Sequence, residues 1–181
     1  MEDPKKYYSF EQVHGYVLEI ARQMQRDQWF PDYIVGITRG GLIPATLLSH
    51  YLGVRMETLH VELRENSDMG PESNYWMAED AFGHIPSDYC GKTIDEFTKK
   101  KILIVDDIND TGATFKWIKE DWQGSCHPNS KEWDDIWHKN VKFAAIIDNE
   151  SSRADVDYYG LNINKMAKPE WCVFPWEQWW C

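Results

Sequence analysis

Short aliphatic runs alternate along this chain with longer stretches whose apolar residues recur at helical spacing. Phe10, Val13, Val17, Ile20 and Met24 mark one face of a first helix, and Ser9-Phe10-Glu11-Gln12 ahead of them has the form of a capping box. His14, among these apolar positions, reads as a packed or solvent-edge histidine. Pro31-Asp32 breaks the chain, and Tyr33-Ile34-Val35-Gly36-Ile37 then predicts a buried strand. The apolar stretch Ala45 to Leu52 predicts a helix, and Met56 to Leu63 a half-exposed strand. Ile102 to Val105, led in by three lysines, suits a short strand buried on both faces. A helix opens at Phe115-Lys116-Trp117-Ile118 and ends near Trp122-Gln123-Gly124. Two more strands are predicted, at Lys142 to Ile147 and Val156 to Gly160. Strands alternating with helices make an α/β parallel sheet the economical architecture, and its ligands belong at the C-terminal ends of the strands.

The pattern lapses twice. Residues 64–91 dissolve into charges, Gly, Pro, Ser and isolated aromatics, as expected of a lid or of an insertion that packs on a partner subunit. Residues 125–140 read as a polar connection carrying tryptophans. With 181 residues, 43% of them hydrophobic, a single domain spanning 1–181 is expected. A net charge of −11 argues against nonspecific binding to nucleic acid or to an acidic membrane, so an anionic ligand must be held locally. The N-terminus lacks the apolar run of a signal peptide, and no stretch approaches the roughly 20 apolar residues of a membrane span, so a cytosolic protein is expected. Cys90, Cys126, Cys172 and Cys181 are too scattered for a zinc or redox pair and read as free thiols.

Two segments carry chemistry. After the strand at 102–105 come two carboxylates, Asp106 and Asp107, and then Asp110-Thr111-Gly112-Ala113-Thr114 at the start of a helix. A strand, a tight loop rich in backbone N–H groups and a helix N-terminus together form an anion site. The strand at 33–37 is likewise followed by Thr38-Arg39-Gly40-Gly41 and a helix. Adjacent glycines let backbone amides approach a ligand closely, and Arg39 adds a planar, permanently charged fork for phosphate oxygens. An ordinary strand-to-helix turn explains the glycines but leaves Arg39 unexplained.

Together these segments resemble the signature of the type I phosphoribosyltransferases, in which two acids close a hydrophobic strand and D-T-G-x-T follows. The resemblance implies a doubly wound parallel sheet with a small hood from the N- and C-terminal segments, the latter spanning about 161–181. The implied reaction transfers ribose 5-phosphate from phosphoribosyl pyrophosphate to a nitrogenous base. Asp106 and Asp107 then hold the ribose hydroxyls or Mg²⁺, Asp110 to Thr114 wrap the 5′-phosphate, and Thr38, Arg39, Gly40 and Gly41 bind pyrophosphate across a cis Thr38–Arg39 peptide. Arg39 and Asp110 are the implied catalytic residues, Asp110 as acceptor of the base proton. Ser73-Asn74-Tyr75-Trp76 is the nearest counterpart of the family's lid, with Tyr75 as its aromatic residue.

Trp171-Cys172-Val173-Phe174-Pro175-Trp176-Glu177 is similar to the W-I-x-x-P-W-D segment of bacterial xanthine-guanine enzymes, which makes Trp171 the stacking platform and the Cys172 backbone a reader of the ring edge. Trp176, Trp179 and Trp180 read as packing residues. One feature departs from the pattern: 6-oxopurine enzymes place a lysine just after the strand that here ends in Ile146-Ile147, and this chain has Asp148-Asn149. Those two residues are therefore expected to read the base, with guanine, hypoxanthine or xanthine first and adenine or a noncanonical base as the alternative. Expected partners are phosphoribosyl pyrophosphate, the base and further copies of the chain in a homodimer or homotetramer. The competing readings are a regulator that binds the donor without turnover and a scaffold with a silent site.

Overall fold

The computed structural model describes residues 4–61, 63, 71–83 and 99–177. Twelve elements follow in the order β1 (Lys5–Tyr7), α1 (Phe10–Arg26), β2 (Tyr33–Thr38), α2 (Leu42–Leu52), β3 (Arg55–His60), α3 (Tyr75–Phe82), β4 (Ile102–Asn109), α4 (Ala113–Ser125), α5 (Trp133–Ile136), β5 (Val141–Asn149), β6 (Tyr158–Ile163) and β7 (Trp171–Val173). Five strands form a wholly parallel sheet in the order β3-β2-β4-β5-β6. The fold is thus the doubly wound α/β sheet the sequence points to.

Residues alternate across the central strands, and each face of the sheet has its own core. Ile34, Leu103, Val105, Ala144 and Ile146 face α1 and α2, whose Val13, Val17, Ile20 and Leu48 are fully buried there. Tyr33, Val35, Ile102, Ile104 and Phe143 face α3, α4 and α5. Ser9 caps α1 as expected, its hydroxyl accepting from the Gln12 N–H at 3.2 Å while the Gln12 side chain accepts from the Ser9 N–H at 2.9 Å. His14 is exposed and hydrogen-bonded to the Tyr51 hydroxyl. The two chain ends meet in a second, two-stranded sheet, where β1 pairs with β7 in parallel.

Several boundaries and one assignment differ from the sequence expectation. Residues 161–163 belong to β6 of the main sheet, so the C-terminal hood begins later than 161. Within 64–91, the described residues include α3, whose Met77, Ala78 and Ala81 are buried at helical spacing against the core. The polar connection 125–140 contains α5, and Trp133, Ile136 and Trp137 complete an aromatic core with Trp122 and Phe143. Those tryptophans are interior residues, each contributing a large apolar area to burial. Cys126 and Cys172 are buried free thiols, whereas Cys90, Cys181, Trp179 and Trp180 lie outside the described residues. No helix among the described residues is long and apolar enough to cross a membrane.

Candidate functional site

The sheet order reverses between β2 and β4: the chain leaves β2 through α2 toward β3 on one side, and leaves β4 through α4 toward β5 on the other. In such sheets the connections diverge from the carboxyl ends of those two strands and leave a crevice. Both anion loops sit there, Thr38 to Gly41 after β2 and Asp106 to Thr114 along the end of β4 and its turn. Residues 106–115 line a cavity of about 210 Å³.

Close packing of backbone against the Asp107 side chain and against neighbouring backbone explains the glycines. A Cβ at Gly40 would come within 1.9 Å of Asp107 Oδ2, and one at Gly41 within 2.3 Å of the Val105 carbonyl. The two loops therefore touch, with the first lying directly on the acidic pair. Gly112 has φ +82° and a Cβ there would meet the Ala154 nitrogen at 2.5 Å, so the turn needs glycine for its conformation as well as for space. Unlike α1, neither α2 nor α4 has a capping side chain or an acid in its first turn. The leading amide of each is bonded within its own turn, Leu42 N–H to the Arg39 carbonyl at 3.2 Å and Ala113 N–H to the Thr111 hydroxyl at 3.4 Å, so it is the positive end of the helix and the amides behind these that face an anion. The Arg39 guanidinium is exposed and makes no ion pair or hydrogen bond to the described residues, and the Thr38–Arg39 peptide is cis. His60, at the end of β3, holds the Thr38 hydroxyl at 2.8 Å through Nδ1, a support for this loop that no sequence signal indicated.

Asp106 and Asp107 are part of β4, which runs four residues past Val105. Burial is the first cause that holds the Asp106 carboxyl well above the usual range, with the Asp107 charge second. Burial also pushes Asp107 up to about 6, reinforced by the Glu177 carboxylate. Neither acid forms an ion pair with a cationic side chain among the described residues. Such a pair of oxygen donors suits hydroxyl groups or a hard divalent ion. With its folded value above the unfolded one, near 3.9, Asp107 favours folding below about pH 4 and loses that contribution as pH rises through 6. Asp107→Asn should therefore stabilise the ligand-free protein by about 1–3 kcal/mol at pH 7.5, with the gain vanishing toward pH 4. Denaturant unfolding of both proteins across that range checks this, and parallel stability curves would count against it.

A polar network fixes the loop after β4 from behind. Asn109 Nδ2 donates to Asp148 Oδ1 at 2.8 Å and to the Ala154 carbonyl at 2.7 Å, while Asn109 Oδ1 accepts from Ser152 Oγ at 2.9 Å. Asn149, 5% exposed, donates through Nδ2 to the Asp110 carbonyl at 2.9 Å and accepts at Oδ1 from Ser151 Oγ and from the Lys165 N–H. Asp148 also accepts from Asn162, and burial raises its carboxyl. The side chains of Asp148 and Asn149, expected to read the base, are here hydrogen-bonded within the turn, where β5 continues through both residues and pairs with β4 and β6.

Asp110 faces Lys165, whose ammonium donates to Oδ2 at 2.9 Å, and Lys165 also lies over the ring of Trp171, 6.0 Å from its centroid. Trp171 is 54% exposed. Its N–H bonds to Pro4 and the Val173 carbonyl accepts from Tyr8, so in a parallel ladder the intervening Cys172 turns its backbone groups away from β1. Burial raises the Cys172 thiol, with Lys165 and Asp110 among its charged neighbours. Tyr75, expected in a lid, instead starts α3 and bonds to Glu79 near Cys126, at the opposite end of α4 from the phosphate loop.

Residues 7–178 match the family model described as the phosphoribosyl transferase domain. Among characterised relatives, the xanthine-guanine phosphoribosyltransferase of Cereibacter sphaeroides is 27% identical over 177 residues, covering 94% of this chain and 86% of that protein. The xanthine phosphoribosyltransferase 1 of Saccharomyces cerevisiae is 21% identical, covering 97% and 91%. Among solved structures, the purine phosphoribosyltransferase from Pyrococcus horikoshii superposes with a TM-score of 0.63 at 27% identity, over 97% of this chain and 95% of that one.

Proposed function

Because the chain belongs to the phosphoribosyl transferase domain family, we propose that it joins a purine base to C1 of the ribose of phosphoribosyl pyrophosphate and releases pyrophosphate. One observation carries this reading: the glycine loop after β2 packs directly on Asp107, at 1.9 Å from a notional Gly40 Cβ, so sites for two phosphate groups flank one acidic pair. That spacing suits a ribose whose 5′-phosphate and pyrophosphate lie at opposite ends of its ring.

Thr111 to Thr114 hold the 5′-phosphate through the amides of α4 and their hydroxyls, with Asp106 and Asp107 under the ribose hydroxyls. Asp106 and Asp107, oxygen donors that suit a hard ion, would hold Mg²⁺, which when bound would supply charge neutralisation of the pyrophosphate. As the bond from C1 to the pyrophosphate oxygen breaks, Arg39 and the Gly40 and Gly41 amides stabilise the charge on the leaving group. Trp171 stacks the base, the Cys172 backbone reads its edge, and Asp110 accepts the proton that the base loses as its nitrogen bonds to C1. The names of the relatives support xanthine or guanine as the base. The exposed Phe10 and Tyr51 support self-association of the chain into a dimer or tetramer.

The test is pyrophosphate release from phosphoribosyl pyrophosphate and Mg²⁺ against guanine, hypoxanthine, xanthine, adenine, uracil, orotate and nicotinate. Release with a purine is the expected result. Silence with every base, together with calorimetric binding of the donor, would replace the enzyme by a donor-binding regulator.

A further inference from the structure

The cavity at the carboxyl end of β4 is lined among the described residues by 106–115, which include three carboxylates and neither lysine nor arginine. A phosphate dianion held there meets helix amides but no full counter-charge from the loop itself. Lys116, the first cation of α4, lies toward Glu120 at 3.6 Å, and Lys165 is paired with Asp110. The described residues include five arginines, of which Arg22 and Arg26 pair with Glu19 and Arg55 with Glu57. The other two, Arg39 and Arg153, are exposed and make no ion pair or side-chain hydrogen bond to the described residues. Arg39 stands in the loop after β2. Arg153 stands in the connection from β5 to β6, and its backbone N–H donates to the Thr111 carbonyl at 3.2 Å.

That connection is seated firmly against the loop after β4. Ser152 Oγ donates to Asn109 Oδ1 at 2.9 Å and accepts from the Ala154 N–H at 3.2 Å, while Ser151 Oγ donates to Asn149 Oδ1 at 2.9 Å. A Cβ on Gly112 would meet the Ala154 nitrogen at 2.5 Å. The backbone on both sides of Arg153 is therefore fixed, and its guanidinium is left uncommitted. We propose that Arg153 is a phosphate-binding residue, its guanidinium closing over the 5′-phosphate held by Thr111 to Thr114. This rests on the phosphoribosyl reading of the site. The bond from Arg153 engages the Thr111 carbonyl and so leaves the amides of α4 to the ligand. The planar fork matches two phosphate oxygens at once, and a backbone already held in place lowers the ordering cost of that contact. In a chain of net charge −11, a local cation is what offsets the repulsion between the dianion and the surrounding acids. The two uncommitted arginines then stand one at each phosphate group of the donor.

Calorimetry of wild type, Arg153→Ala, Arg153→Lys and Lys116→Ala with ribose 5-phosphate and with pyrophosphate, each with Mg²⁺ at low and high salt, tests the assignment. Loss of a charge-assisted contact implies that Arg153→Ala weakens ribose 5-phosphate about 10-fold at low salt. The difference should shrink at high salt, and pyrophosphate affinity should stay within about twofold. Arg153→Lys keeps the charge without the fork and should restore part of the loss. Lys116→Ala removes the same charge from an exposed pair on α4 and should leave both ligands within about twofold. Unchanged ribose 5-phosphate affinity in Arg153→Ala overturns the inference, as does an equal loss for pyrophosphate or an equal loss in Lys116→Ala. A wild-type chain that does not bind ribose 5-phosphate also overturns it. Pyrophosphate release with a purine, while Arg153→Ala binds ribose 5-phosphate as wild type does, removes Arg153 and leaves the transferase. Binding that depends on Arg153 without turnover of any base removes the transferase and leaves Arg153.

Discussion

Replacing Asp110 with asparagine is expected to lower turnover by about two to four orders of magnitude while donor affinity stays within about threefold. The split follows from where Asp110 sits. Its backbone belongs to the phosphate loop, held by Asn149 through the carbonyl, and an asparagine leaves that carbonyl and the amides of α4 in place. Its carboxylate instead points toward Lys165 and the Trp171 ring, so the substitution removes the proposed acceptor for the base proton and the charge of the ion pair with Lys165, both away from the donor's phosphates. Asparagine keeps the volume and one acceptor oxygen but cannot take up a proton at neutral pH. Steady-state kinetics for turnover and calorimetry for phosphoribosyl pyrophosphate with Mg²⁺ separate the two quantities. An unchanged kcat would remove Asp110 as the proton acceptor; loss of donor affinity alone would make it part of the phosphate cradle.

The second large effect is expected from Gly40→Ala. The added methyl group would lie 1.9 Å from Asp107 Oδ2 and 2.4 Å from Cγ, and both sides of the contact are constrained. Gly41 behind it rests on the Val105 and Ile37 backbone, and Asp107 stands in β4 between Asp106 and Ile108, which are both paired with β5. The clash is relieved only by moving the pyrophosphate loop or the carboxylate by more than about 1 Å, and a misplacement of that size costs on the order of 100-fold in rate. Because the proposed function puts the leaving group on this loop and the ribose on Asp107, donor affinity should fall together with kcat. Gly15→Ala is the matched control, since a Cβ there meets nothing within 4 Å in the exposed face of α1. That variant should retain activity and gain about 0.5–1 kcal/mol of stability from the better helix former. Equal activity of Gly40→Ala and Gly15→Ala would show that the contact between the loops is dispensable.

The parts legible in the sequence share one property: their information is local. The capping box at Ser9 and Gln12, the aliphatic runs of β2, β4 and β5, and the two glycine loops each place their residues within a few positions of one another. Helix and strand periods and close-approach glycines are visible at that range. Less legible were α3 and α5, four to eight residues long, whose buried faces rest on Ala78, Ala81, Trp133 and Ile136 amid charged neighbours. Elements that short take their stability from the sheet they cover rather than from their own periodicity.

The sequence by itself determined the doubly wound class, the two anion loops and the acidic pair. It also located Asp110 and the terminal Trp171 segment. Tertiary structure alone decided what each polar side chain spends its hydrogen bonds on. Asp148 and Asn149, expected to read the base, are hydrogen-bonded to Asn109, Asn162, Ser151 and the Asp110 carbonyl. Lys165, 55 positions from Asp110 in the chain, reaches its carboxylate because β6 lies parallel and in register beside β5. Such pairings depend on contacts between distant segments, and a buried polar group takes whichever partner the fold brings within about 3 Å. Local patterning carries no record of that choice.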